Sequence, residues 1–120
     1  MAEPNKTDIA AELTKLQNSY IQKLPSLSQA VRASWQQYQH TPSKTVLDQL
    51  YRQIHAIAGT SSVLAVTAVS DTAQQLESLL HQRSTADRLN PDEHSAISRS
   101  LNAFLNAVEQ EHVEVGNILR

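Results

Sequence analysis

Residues 47–62 read Leu47-Asp48-Gln49-Leu50-Tyr51-Arg52-Gln53-Ile54-His55-Ala56-Ile57-Ala58-Gly59-Thr60-Ser61-Ser62. Leu47, Leu50, Tyr51, Ile54, Ile57 and Ala58 recur at three- and four-residue steps, so one helical face is apolar. A half-buried strand would alternate at every second residue instead. The stretch is an amphipathic helix with one stripe to bury. Thr41-Pro42 supplies its expected start, Thr41 as the cap and Pro42 at the first helical position, and the helix is expected to end near Ser62.

The same period extends outward in both directions. A first helix is expected from about Thr7, with Ile9, Leu13, Leu16 and Tyr20 on its apolar side. Pro25 kinks or splits it, and Leu27, Val31, Trp35 and Tyr38 continue the pattern as a second segment over 26–39. Downstream, Val66, Val69, Ala73, Leu76 and Leu80 mark a helix ending near Arg83. Ser84 to Leu89 reads as a polar loop. Asn90-Pro91-Asp92-Glu93 then opens a helix: a capping side chain, a proline at the first position and two acids facing the helix dipole. That helix carries Ile97, Leu101, Phe104, Leu105 and Val108 and frays toward Arg120. Only two glycines occur, too few for the turns of a β-rich domain. The fold class is all-α, an antiparallel four-helix bundle with a kinked or split N-terminal helix.

Composition bounds what this bundle does. At 120 residues and 40% apolar content, residues 1–120 are expected to form a single domain with one core. The charged helical end at Arg120 leaves two expectations open, a whole protein or the N-terminal part of a longer chain. The formal net charge is −2 with no basic cluster, which gives nucleic-acid binding no electrostatic support. There is no cysteine, so disulfides and thiolate metal sites are excluded. The polar segment Met1 to Lys6 is not a signal peptide, and no apolar run approaches the ~20 residues that span a bilayer. A cytoplasmic protein with no membrane association is expected.

Of five histidines, none has a histidine partner at the close spacing of a helical metal site, and no cofactor is expected. His55 differs from the rest. It lies mid-helix at the edge of the apolar stripe, so its ring can rest on the bundle while one nitrogen faces water. Gly59 follows one turn later, only ~40° away around the axis. A helix-interior glycine costs about 1 kcal/mol relative to alanine. It either clears an approach to the imidazole or permits close contact with another helix. Ser70, Gln74, Glu77 and His81 form a polar stripe on the next helix. If the two helices pair as a hairpin centred near Val66, residues whose numbers sum to about 132 share a height, and Glu77 lies level with His55. A carboxylate there would fix the imidazole tautomer and leave the other nitrogen as the nucleophile. Otherwise Glu77 is an ordinary solvated helix acid.

Residues 51–80 resemble the histidine phosphotransfer (HPt) domain. That family carries a histidine, an apolar residue, a lysine and a glycine, then small residues, and a Leu-Glu pair about twenty residues on. Here these places are taken by His55, Ile57, Gly59, Thr60, Ser61 and Ser62, and Leu76-Glu77. Leu16, Tyr20, Leu24-Pro25 and the last helix are similar to the family's outer helices. The lysine place is Ala58, and a position in the following connection that is often glycine is Ala65. The resemblance implies a phosphorelay intermediate in two-component signalling, with His55 as phosphoacceptor, Glu77 orienting it and Gly59 giving access. Arg52 is the candidate phosphate contact in place of the missing lysine, or a plain surface arginine; Gln74 is a candidate site neighbour. The implied partners are a response-regulator receiver domain, with magnesium bound on that receiver, and a sensor histidine kinase. The chain would be a monomeric carrier without a nucleotide site of its own, not an enzyme. The alternative left by Ala58 is a degenerate, non-phosphorylated bundle acting as a protein-interaction module.

Overall fold

A computed structural model describes residues 6–83 and 87–118. The expected loop at Ser84–Leu89 falls partly outside the described residues, as does the expected fraying at Arg120. Four helices follow in order: α1 Lys6–His40, α2 Lys44–Val63, α3 Thr67–Gln82 and α4 Pro91–Ile118. Among the described residues no strand occurs. Each of α1 and α3 packs against both α2 and α4, which closes the bundle into a ring of four.

The helices run up and down. Between α1 and α2, Gln17 donates to the Leu64 carbonyl at one end and Ser34 donates to Gln53 nearer the other. Trp35 lies against His94 at the start of α4, whereas Thr14 shares a cleft with Glu114 near its end. The core is one cluster drawn from all four helices, with Leu24, Leu47, Leu50, Ile54, Val69, Leu76, Leu80 and Phe104 fully buried.

Pro25 neither ends nor splits α1, which continues as one helix of 35 residues. The lost proline N–H would have reached back to Ile21, and the ring lies half-buried rather than in the middle of the core. The buried side of α1 keeps Val31, Trp35 and Tyr38 of the expected stripe, and earlier in the helix runs through Ile21 and Leu24 beside the partly buried Tyr20. Ile9, Leu13, Leu16 and Leu27 are exposed. The reason for the first three is length. At ~1.5 Å per residue α1 is far longer than α2 or α3. It passes the α2–α3 turn near Gln17, so its first turns have no neighbour from that hairpin to bury them.

The start of α2 also differs from expectation. Thr41 N–H still donates to Gln37, closing the end of α1, and the cap is Ser43. Ser43 is extended at φ −154°, ψ 149°, and its hydroxyl accepts from Val46 N–H at 3.1 Å. Pro42 pushes the residue before it away from helical geometry, so the chain needs further residues before it can start again. α4 begins as expected: Asn90 N–H donates to the Glu93 carboxylate and Glu93 N–H donates to the Asn90 side chain, a reciprocal capping box.

Candidate functional site

The α2–α3 turn sets the geometry of the site. Val66 N–H donates to Ser61 and Ala65 N–H donates to Ser62, the paired bonds of a Schellman closure. Its C′ residue is Ala65, at φ 58°, a left-handed conformation that favours glycine. This compact reversal fixes the register of the hairpin. His55 meets Glu77, Tyr51 meets His81, and Asp48 forms an ion pair with Arg83. The first two pairs have numbers that sum to 132, the height relation of a hairpin centred on Val66.

His55 projects from the outer edge of α2, between buried Ile54 and Ile57 in sequence, with its side chain 67% exposed. Its Nδ1 lies 2.5 Å from Oε1 of Glu77, whose side chain is 23% exposed. A carboxylate can only accept, so Nδ1 carries the proton and donates it. In the neutral ring the lone pair then lies on Nε2. The Tyr51 ring, one turn earlier on α2, stacks along the imidazole with centroids 5.9 Å apart and planes at 18°. His81 touches the same tyrosine at 5.9 Å and 31°.

Gly59 is exposed, and a Cβ added there would meet nothing within 4 Å. Among the described residues the glycine therefore serves no helix contact; it leaves open surface one turn beyond the imidazole. The Arg52 side chain is exposed and forms no hydrogen bond or ion pair among the described residues. Gln74 is not drawn to His55: its amide donates to Ser70, one turn back on α3, at 3.0 Å. Ser70 is itself buried, so the expected polar stripe of α3 is exposed only from Gln74 onward. Ala58, at the lysine place, is 3% exposed and belongs to the core.

Sequence reasoning missed Tyr51 and His81 as members of this cluster. By periodicity Tyr51 reads only as part of the apolar stripe. The signal was present in the four-residue steps from Tyr51 to His55 and from Glu77 to His81, which make a square once the hairpin register is set. Behind the turn, burial pushes the Tyr20 phenol above its ordinary range, with the hydroxyls of Ser61 and Thr60 pulling it partly back. Among the described residues no group of three or more His, Asp or Glu side chains could hold a metal ion. No described helix is long and apolar enough to cross a membrane.

The family model described as Hpt domain matches residues 8–111. No curated protein and no solved structure gives a significant match to the chain. The match spans most of the sequence and all four helices, and the chain belongs to the Hpt domain family. Domains of this family are helical bundles that carry phosphoryl groups on histidine in phosphorelays, acting with receiver domains and kinases.

Proposed function

We propose that this Hpt domain is a cytoplasmic, monomeric carrier that holds a phosphoryl group on Nε2 of His55 and exchanges it with an aspartate of a response-regulator receiver domain. One observation carries the reading. An exposed imidazole donates Nδ1–H to a carboxylate 2.5 Å away and presents its other nitrogen to solvent.

The chemistry needs little from the domain itself. The Nε2 lone pair attacks phosphorus, the N–P bond forms, and the P–O bond of the partner's acyl phosphate breaks. The aspartate leaves as a carboxylate with the bonding electrons. No proton has to move, because Nδ1 keeps its hydrogen throughout. The phosphorylated ring gains positive charge, which the Glu77 carboxylate faces at hydrogen-bond distance. Donation to a second receiver reverses these steps. Gly59 leaves the approach open, and Arg52, one turn before His55, is the candidate to meet a phosphate oxygen. Charge neutralisation otherwise falls to the receiver and its bound magnesium, since phosphoryl transfer is chiefly positioning and electrostatics. A sensor histidine kinase is the further upstream partner this reading calls for.

The second reading, a bundle that docks a receiver without chemistry, is favoured by one observation: the place of the family lysine is a buried alanine. Incubation with a receiver carrying a radiolabelled phosphoryl group separates the two. Transfer predicts an acid-labile label on the chain that is lost in His55→Gln, with the helical circular dichroism retained. An unlabelled wild type that still binds the receiver establishes the docking module. A fully labelled His55→Gln removes His55 from the mechanism.

A further inference from the structure

The bond to Glu77 restrains the imidazole at a single atom. With the ring attached at Cγ and bonded at Nδ1, rotation of its plane is the freedom that remains, and that rotation changes where Nε2 points. Its side chain is 67% exposed, so the bundle core does little to hold its plane. The Tyr51 face, nearly parallel at 18°, is the contact suited to do so. Tyr51 is itself secured: it is half-buried against the core on one side and touches His81 on another. Being one turn before His55 on the same helix, it keeps its place when the α2–α3 spacing breathes.

We propose that Tyr51 is a positioning residue for His55, setting the plane of the imidazole while Glu77 sets its tautomer, so that Nε2 points outward along one direction. The inference rests on the phosphocarrier reading for its consequence, but its geometry stands apart from it. The flat face of Tyr51 does the work, and the hydroxyl is dispensable. Misaiming an attacking atom lowers the rate without changing how the partner docks.

The test uses Tyr51→Phe and Tyr51→Leu in the full chain. Imidazole ¹⁵N and ¹³C spectra of the unphosphorylated protein report tautomer and ring order, and transfer from a phosphorylated receiver reports rate. Tyr51→Phe is expected to match wild type in both. Tyr51→Leu is expected to broaden the His55 ring signals while leaving the Nδ1–H tautomer set by Glu77, and to slow transfer by about three- to tenfold, with receiver affinity unchanged. A merely structural role would shift unfolding midpoints without this spectral signature or its rescue by phenylalanine. Unaltered His55 spectra in Tyr51→Leu overturn the proposal, as does Tyr51→Phe behaving like Tyr51→Leu. If Tyr51→Leu does not fold, the wild type decides: the absence of a nuclear Overhauser contact between the Tyr51 and His55 rings overturns it. Failure of the wild type to accept phosphoryl would sink the carrier reading alone, because the spectra need no receiver.

Discussion

Gly59 sits inside α2, where glycine is about 1 kcal/mol worse than alanine. The structure offers no packing reason for that cost, since a Cβ there meets nothing within 4 Å. Gly59→Ala should therefore stabilise the domain by close to the full propensity difference, about 1 kcal/mol, or a rise in Tm of roughly 4 °C for a chain of this size. Gly59→Gln should also be stabilising, by about 0.5 kcal/mol. The two variants part company at the site. A helical side chain leans toward the N-terminus and covers the turn before its own Cα, and for position 59 that turn holds His55. The alanine methyl adds little there, whereas the glutamine side chain lies across the approach to Nε2. The assay pairs thermal unfolding, followed through buried Trp35, with transfer from a phosphorylated receiver. Expected are two stabilised proteins, of which Gly59→Gln alone transfers at least tenfold more slowly. Unimpaired transfer in Gly59→Gln would refute the access argument, and a destabilised Gly59→Ala would refute the claim of open space.

Three further perturbations probe other parts of the molecule. Ala65→Gly should stabilise by about 1 kcal/mol, because it relieves a left-handed alanine at φ 58°; an unchanged urea midpoint would contradict this. Glu111 is held above the usual carboxylate range, first by burial and then by repulsion from Glu114. Its folded state holds the proton more tightly than the unfolded chain does, so the associated stability is present below the unfolded pKa and lost as pH rises through the folded one. Glu111→Gln should thus stabilise at pH 7 and have little effect at pH 4, a contrast that urea titrations at the two values would read. Glu77→Gln keeps an acceptor for Nδ1–H but loses the charge facing the phosphorylated ring, so single-turnover transfer should slow by about five- to tenfold, and more in Glu77→Ala.

How much of this was legible in the sequence depends on the range of the interaction. The α2 and α3 stripes and the α4 capping box are local patterns, and they appear where the periodicity and the Asn90-Pro91-Asp92-Glu93 run put them. The meeting of His55 and Glu77 followed from one assumption about the turn, although no glycine or proline marked it. The turn is closed instead by Ala65 taking a conformation that its residue type disfavours, which no propensity would suggest. The misplaced features depend on what lies around each residue. Ser43 outcompetes Thr41 as the cap because Pro42 interrupts the backbone between them. Ile9, Leu13 and Leu16 repeat at helical spacing, yet burial requires a neighbour of equal length, and α2 and α3 are too short to provide one. Gln74 turns to Ser70 because a partner on its own helix is nearer than His55.

The charge around the site bears on the direction of phosphoryl flow under the proposed reading. A phosphoryl group brings close to two negative charges to His55, and the side chain bonded to the imidazole is itself an anion. A lysine at position 58 would start from a buried point and have to run its stem over the core to bring its ammonium out. Arg52 starts from an exposed position three residues before His55 and faces no such cost, but it is not held in place by any bond among the described residues. Under that reading the domain fixes the tautomer of its nucleophile through Glu77 and offers the phosphate only Arg52, an exposed side chain. A carrier built this way does little to stabilise the transferred group in the absence of its partner. The transition state becomes favourable when a receiver brings its own cations to the open surface beside Gly59, so exchange with a docked receiver is accelerated while loss to water is not.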